Sequence, residues 1–317
     1  MSGPQVSIVL PTFNRLQYLQ PAVESVFAQT FVDWELIVAD DGSDGATAEY
    51  LAALASRPRV KVLLLPHTGN PGTVRNTAWQ AAGGEFIAFL DSDDLWLPEK
   101  LALQVATLRS HPQCGWGHTA FALIDAAGRL LTGTRARCWP ATGGWILERL
   151  IRMEVAIAMP SVMVRRRLLE QLGGFDPAQR MCEDYDLYLR LAGLSEIHGV
   201  NETLVLVRSH GEHFHHNTIV LEDRARALEK LRAASTDRFV QSVLRRERAK
   251  AATGLARSQA ADGGRWVALR TLAKSSQYAW AYPEWWLRGA VAAARAVAPM
   301  SIVRVVRTVR RRGWSGW

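Results

Sequence analysis

Cysteine is scarce in this chain of 317 residues: Cys114, Cys138 and Cys182 are the whole complement, odd in number and without a C-x-x-C spacing. That count argues against a disulfide framework and a structural zinc site, and it makes a reducing compartment the simplest expectation. Proline (13) and glycine (24) are too few for a disordered or collagen-like chain in which 48% of residues are apolar and 21% charged. Long apolar runs are missing too. No window reaches the roughly 18–20 uninterrupted apolar residues that cross a bilayer, and the best stretch, Trp285 to Met300, is broken by Arg288 and Arg295. The run Val6–Leu10 stops at Pro11 with no basic segment before it, so neither a secretory signal nor a membrane span is expected. The composition is that of a folded globular chain, long enough for one large α/β domain with an appendage.

What is present is distributed unevenly. The net charge of +8 divides into −5 over residues 1–217 (18 Lys and Arg against 23 Asp and Glu) and +13 over residues 218–317 (20 against 7). An acidic body suited to a cation is thus followed by a segment that seeks anionic surfaces. Composition also changes near 217, from mixed strand and helix signals to Ala/Arg-rich helix, which places the domain boundary there: 1–217 and 218–317.

The first hundred residues alternate short continuous apolar runs with helix-length amphipathic segments. Val6–Leu10, Glu35–Ala39, Val60–Leu65 and Phe86–Leu90 read as strands, followed by helices around 21–29, 47–55, 72–82 and 98–111. Continuous rather than alternating runs imply parallel strands buried on both faces and joined by crossover helices. Ligands of such sheets bind beyond the carboxyl ends of the strands. Those ends read Pro11-Thr-Phe-Asn-Arg15, Asp40-Asp-Gly-Ser-Asp44, His67-Thr-Gly-Asn-Pro-Gly72 and Asp91-Ser-Asp-Asp94. From 114 to 160 the pattern is mixed and Gly-rich. A strand at 161–164, helices at 146–153, 165–172 and 183–192, and a strand at 203–207 follow from the periodicity.

Asp91, Asp93 and Asp94 directly follow a buried strand, so at least one carboxylate must face the crevice. Alternate carboxylates in an extended turn suit a hard divalent cation held together with phosphate oxygens; the competing use is capping the next helix, whose Pro98 suits a first-turn position. Gly42 permits a tight turn that leaves Asp41 free to accept hydrogen bonds from a ring or sugar, unless it closes an ordinary Asx turn. Arg75, placed in the first turn of a helix, would add a guanidinium to an N-terminus already suited to phosphate, or would be a solvated arginine.

These segments resemble glycosyltransferase family 2. The resemblance rests on Val6-Ser-Ile-Val-Leu-Pro-Thr-Phe-Asn-Arg15, Glu35-Leu-Ile-Val-Ala-Asp-Asp-Gly-Ser43, Arg75-Asn76, Gly84-Glu-Phe-Ile-Ala-Phe-Leu-Asp-Ser-Asp-Asp94, Gly173-Gly-Phe-Asp176 and Glu183-Asp-Tyr-Asp-Leu187. It covers roughly residues 5–217 in order. It implies a GT-A fold, a Rossmann-like α/β architecture with a mostly parallel sheet flanked by helices, here carrying a C-terminal helical extension. It further implies an inverting hexosyltransferase-type enzyme that moves a sugar from a nucleotide-diphosphate donor, a UDP-sugar in first expectation, to a hydroxyl of a glycan or lipid-linked acceptor in cell-surface polysaccharide or glycolipid synthesis. By the same resemblance Pro11, Thr12 and Phe13 line the base pocket and Asp41 bonds the nucleobase. Asp93 is the principal ligand of Mg²⁺ or Mn²⁺, Asp91 and Ser92 contact donor or metal shell, and Asp184 is the catalytic base. Arg208-x-His210 matches a segment that closes over the diphosphate, with His210 a further candidate metal ligand.

A single displacement needs one base, expected to be ionised near neutrality like an ordinary carboxylate; Glu183 is the alternative to Asp184. A non-catalytic nucleotide-sugar-binding or scaffolding protein would dispense with Asp93 and Asp184, and a sugar-nucleotide pyrophosphorylase would carry a G-x-G-T-R-type loop where Pro11–Arg15 stands. His213, His215 and His216 read as a surface loop rather than a zinc site. In the tail, helical spacing over 301–312 sets Ile302, Val305, Val306 and Val309 opposite Arg304, Arg307 and Arg311, with Trp280, Trp285, Trp286, Trp314 and Trp317 nearby. Such a helix suits either packing on the catalytic domain or peripheral attachment to an anionic cytoplasmic leaflet. No nucleic-acid motif accompanies it, so a cytoplasmic location and no nucleic-acid partner are expected.

Overall fold

The computed structural model describes residues 3–131, 138–209, 218–280 and 282–297. It divides into two compact units, residues 1–212 and 213–317.

In the first unit the four continuous apolar runs become β1 (Val6–Thr12), β2 (Trp34–Asp40), β3 (Val60–Leu64) and β4 (Phe86–Phe89). They are parallel and lie in the order β3-β2-β1-β4. β1, β2 and β4 are buried almost throughout because α1 (Leu16–Phe27), α2 (Gly45–Leu54) and α3 (Pro71–Gln80) supply apolar faces to the sheet. Each fully buried side chain such as Ile8, Leu10 or Leu36 contributes about 1.5–3 kcal/mol relative to exposure. The order reverses between β1 and β4, so a crevice opens past their carboxyl ends.

The other half of the sheet was harder to foresee. The Gly-rich stretch expected to be mixed forms β6 (Cys114–Ile124), an eleven-residue strand, after β5 (Leu95–Trp96) and α4 (Lys100–Ser110). β7 (Cys138–Trp139), β8 (Val162–Arg165) and β9 (Glu196–Arg208) complete a nine-stranded sheet in the order β3-β2-β1-β4-β8-β6-β9-β5, with β7 on β6. β8 is antiparallel to both β4 and β6, and β9 is parallel to β6, so the sheet is mixed on this side. The strand expected at 203–207 begins at Glu196, and the helix expected to contain Pro98 begins at Lys100. Glu99, not an aspartate of the 91–94 cluster, occupies its N-cap, which removes the capping explanation of that cluster. Three short helices, α5 (Leu147–Ile151), α6 (Arg166–Leu172) and α7 (Glu183–Ala192), complete this unit.

The second unit is helical: α8 (Thr218–Ala234), α9 (Arg238–Ala261), α10 (Arg265–Ala279) and α11 (Pro283–Val297). The long α9 is the hub against which the other three pack. Asp237 caps it, accepting from Phe239 N at 2.7 Å and Val240 N at 3.0 Å. The contact between α9, α10 and α11 is made of Leu272 and five alanines, Ala256, Ala260, Ala268, Ala292 and Ala296, whose small side chains let helix backbones come close. Trp285 is buried here and donates Nε1–H to Ser275 Oγ. No helix of the described residues is long and apolar enough to cross a membrane, and the basic helix expected over 301–312 lies outside them.

Candidate active site

Asp91 to Asp94 form a tight turn at the end of β4, closed by Asp94 N donating to Asp91 O at 3.1 Å. Three carboxylates leave the strand within four residues and must be compensated. Arg15, just past β1, donates to Asp93 Oδ2 at 2.6 Å. Arg208, the last residue of β9, donates its backbone N–H to Asp94 Oδ1 at 2.7 Å and its guanidinium to the carbonyls of Asp93, Asp125 and Ala126. Burial, reinforced by Asp91 and Asp93, pushes Asp94 well above the usual carboxylate range. Burial also raises Asp91, with Arg75 opposing and Asp93 adding to the effect. Asp91, Asp93 and Asp94 are thus met by Arg75, Arg15 and Arg208, and burial favours the neutral form of Asp91 and Asp94.

Arg75 lies in the second turn of α3, not the first. Its guanidinium is buried and bridges two elements, donating to Asp91 Oδ1 at 2.5 Å and to Glu183 Oε1 at 2.7 Å. Burial opposes its charge, but the two carboxylates outweigh burial and raise its pKa. Arg75 is thus not the solvated arginine that was one of the two readings of the sequence, but a fixed cross-brace between the β4 turn and α7. Its neighbour Asn76 holds the Gly173–Phe175 loop, donating to Phe175 O and accepting from Phe175 N, both at 2.8 Å. Gly174 has φ +74°, and a Cβ there would overlap Asn76 and Trp79, so that motif glycine answers a close approach.

Glu183 and Asp184 open α7. Glu183 is buried and spoken for by Arg75. Asp184 is half-buried, and its one described hydrogen bond is from Tyr185 N to Oδ1 at 2.6 Å. Burial, then the charge of Glu183, pushes Asp184 up to about 7, against the Tyr185 hydrogen bond and the Arg75 charge. The expectation of an ordinary carboxylate is corrected here: a desolvated group beside another anion holds its proton to near neutrality.

On the other side of β1, Thr12 is buried and Phe13 exposed, and the Phe13 ring stacks on His67 with centroids 4.2 Å apart. Asp41 is less free than expected. Its carboxylate accepts from Thr68 N, Thr68 Oγ1 and Gly69 N at 2.8–2.9 Å and lies 3.0 Å from His67 Nδ1, organising the β3–α3 loop. Gly42, at φ +85°, lets that loop pass: a Cβ would sit 3.1 Å from His67 N. By contrast Asp40 Oδ1 and Thr12 Oγ1 are buried without a hydrogen-bond partner, on residues paired across β1 and β2. Buried polar atoms without partners are costly unless a ligand satisfies them. Pro11 precedes this pair in β1, and Ser92 is buried in the acidic turn. Asn14 ties both regions together: its N–H donates to Ser43 Oγ and its Oδ1 accepts from Asp44 N, while the next residue, Arg15, reaches Asp93.

The crevice thus joins Asp40, Thr12, Phe13 and His67 through Asn14 and Arg15 to Asp91–Asp94, and through Arg75 to Glu183 and Asp184. Arg15, Asp40, His67 and the brace function of Arg208 were not singled out by sequence. His210 lies outside the described residues, among which no ready-made cluster of three His, Cys, Asp or Glu side chains encloses a metal. The carboxylates at Asp91 and Asp93 fit a hard cation that takes its remaining ligands from a diphosphate.

A mixed α/β sheet with acidic side chains and an aromatic pair around its switch point defines a nucleotide-binding class of enzyme. The family model described as "Glycosyl transferase family 2" matches residues 7–170, and the chain belongs to that family. The UDP-Glc:alpha-D-GlcNAc-diphosphoundecaprenol beta-1,3-glucosyltransferase WfgD of Escherichia coli is 39% identical over 103 residues, 32% of this chain and 40% of that protein. The structure of S. aureus TarS 1–349 with UDP-GlcNAc superposes with a TM-score of 0.61 at 20% identity, covering 98% of this chain and 92% of that one. A mannosyltransferase from Pyrobaculum calidifontis with GDP-Man and Mn²⁺ gives 0.55 at 18% identity, covering 93% and 86%. Both share the fold. The chain spans about a third of the length of two of its curated relatives, each matched over about two thirds of this chain.

Proposed function

We propose that this chain is a metal-dependent glycosyltransferase that inverts the anomeric centre of a nucleotide-diphosphate sugar, with Asp184 as the base. The carrying observation is the contrast between Glu183, paired with Arg75, and its neighbour Asp184, which is half-buried, takes its described hydrogen bond from Tyr185 N and is pushed up to about 7 by burial and by Glu183. A base with a pKa near ambient pH combines adequate ionisation with driving force for proton transfer. The acceptor hydroxyl oxygen attacks the anomeric carbon, its proton passes to an Asp184 carboxylate oxygen, and the bond to the diphosphate oxygen breaks. Arg75 holds Glu183 and Asp91 so that the base and the turn keep their spacing. Asp93 and Asp91 would hold Mg²⁺ or Mn²⁺, which when bound neutralises charge on the leaving diphosphate.

The base pocket is assigned to Pro11, Thr12, Phe13 and His67, with Asp40 rather than Asp41 accepting from the nucleobase. Asp40 Oδ1 and Thr12 Oγ1, buried without a hydrogen-bond partner among the described residues, support this; both oxygens of Asp41 accept from its own loop, whereas Asp40 accepts only through Oδ2, from Ser43 N. The donor is a UDP-sugar and the acceptor a lipid-linked glycan of cell-surface polysaccharide synthesis, a reading supported by the names of WfgD and the TarS complex. An acceptor of that kind places the enzyme at the cytoplasmic face of a membrane, as a peripheral protein. Incubation with UDP-glucose or UDP-GlcNAc, a diphosphoprenol-linked sugar and Mn²⁺ should release UDP and extend the acceptor by one sugar. Release of pyrophosphate, or no turnover with any nucleotide sugar, would remove the assignment.

A further inference from the structure

The last described helix has an outer, uncharged arc that no other described residue covers. With 100° per residue, Trp286, Leu287, Ala290, Val291, Ala294 and Val297 of α11 fall within an arc of about 140°. The opposite face, with Trp285, Ala292 and Ala296, is buried in the bundle. On the outer arc Trp286 is 58% exposed, Leu287 73% and Val297 69%. Glu284 and Arg288 stand at one border, and Glu284 is paired with Arg246. A helix that is apolar on two faces is matched to two apolar environments, and the bundle supplies one. Trp280, 66% exposed, accepts through its carbonyl from Trp286 Nε1–H at 2.8 Å, which adds a second indole beside the stripe.

We propose that this outer face of α11 lies in the interfacial layer of an anionic bilayer, with Trp286 and Leu287 among the acyl chains. The inference rests on the transferase reading only for its biological sense, since a lipid-linked acceptor would be met there. Two observations select a bilayer over a second copy of the chain. A fifteen-residue helix is about 22 Å long, so its outer stripe covers on the order of 400 Å², half of what each partner buries in a standard stable interface. Residues 298–317 follow directly and carry Arg304, Arg307, Arg310, Arg311 and Arg312 without one acidic residue. An apolar stripe continued by basic sequence is the combination that binds anionic headgroups, indoles at the boundary and guanidinium groups on phosphate. The anchor assigned here is α11, with the arginine tail adding a salt-sensitive contribution.

The test is flotation of the full-length protein with vesicles of phosphatidylcholine alone and of phosphatidylcholine with phosphatidylglycerol, at low and high salt. Wild type should float with the phosphatidylglycerol vesicles and retain part of that binding in high salt. Trp286→Ser combined with Leu287→Ser, both exposed, should lower the partition coefficient about tenfold or more at either salt. Arg307→Gln combined with Arg311→Gln should remove only the salt-sensitive part. Trp286→Phe should still float but lose much of the tryptophan quenching caused by brominated acyl chains. Flotation of the Ser variant equal to wild type, or absence of wild-type binding, overturns the proposal. So does a wild-type dimer in sedimentation equilibrium that the Ser variant dissolves. UDP binding, followed by thermal shift in the same preparations, should not change; its absence from all of them would instead sink the transferase reading.

Discussion

Glu183 and Asp184 are adjacent at the start of α7, yet Glu183 Oε1 takes a 2.7 Å hydrogen bond from the Arg75 guanidinium while Asp184 takes its described bond only from Tyr185 N. The first is a buried half of an ion pair, and the second is desolvated beside an anion and pushed up to about 7. One guanidinium separates a structural carboxylate from a basic one.

The pH dependence follows from that difference. The base must be ionised, so kcat/KM should fall tenfold per unit as pH drops below about 7, and Asp184→Asn should abolish transfer while UDP binding persists. Stability carries the opposite sign. The folded-state pKa lies above the ordinary 3.8, so between about pH 4 and 7 the native state holds a proton that the unfolded state has lost, and stability declines as pH rises through that window. Asp184→Asn should therefore melt higher than wild type at pH 8 and converge with it near pH 4. Thermal melts across that range, together with a pH–rate profile, check both halves.

Arg75 supplies the complementary case. Arg75→Ala removes the partner of the buried Glu183 and of the partly buried Asp91, which costs about 3–5 kcal/mol. Urea unfolding should show the midpoint falling accordingly, and turnover should fall with it. Arg75→Lys keeps the charge but not the fork that reaches both carboxylates, so it should recover only part of either loss.

The first half of the sheet and the place of the acidic turn at its edge could be read from the chain alone, and the limits have identifiable causes. β1 to β4 are continuous apolar runs, and Asp91–Asp94 stands out because an acidic cluster follows a strand that cannot be exposed. β6 was not legible because Gly115 and Gly117 interrupt its pattern; they are needed where a Cβ would lie 2.5 Å from Leu168 Cδ2 and 3.0 Å from the His198 carbonyl. Two adjacent aspartates at the end of β2 give equal signals, and only the alternation of side chains along a strand sends Asp40 and Asp41 to different neighbours. Arg15 is a lone loop arginine until folding brings it to Asp93, 78 residues away.

The two aspartates separate by experiment. Asp40→Asn should weaken UDP binding about tenfold, the value of a hydrogen bond to a charged group; its amide oxygen can still accept from Ser43 N, so the melting temperature should fall less than in Asp41→Asn. Asp41→Asn disturbs a carboxylate that accepts from Thr68 and Gly69, so its main effect should be a lower melting temperature. Calorimetric titration with UDP beside thermal melts distinguishes them, and the reverse pattern would return base recognition to Asp41.

Metal dependence is tested at the acidic turn. Mn²⁺ should strengthen UDP binding at least tenfold over the same titration in EDTA, because a cation on Asp91 and Asp93 would offset the repulsion between those carboxylates and a diphosphate. Asp93→Ala should erase the difference between the two titrations, with thermal melts of the two proteins as the control for folding.

Lys100 offers a prediction about stability alone. It is fully buried at the start of α4, its Nζ lacks a hydrogen-bond partner, and it lies 3.7 Å from the centre of the Trp96 ring. Burial holds its pKa well below the ordinary value. At neutral pH the unfolded chain binds a proton that the native state resists, so this group lowers stability at pH 7 and its cost shrinks as pH rises toward the unfolded pKa. Lys100→Met keeps the length and apolar stem without the amine. It should raise stability by about 1–3 kcal/mol at pH 7, on the scale of an unpaired buried polar group, and by less at pH 10. Urea titrations at the two pH values measure both terms; a loss of stability at pH 7 would mean that the amine is charged and held by the Trp96 ring.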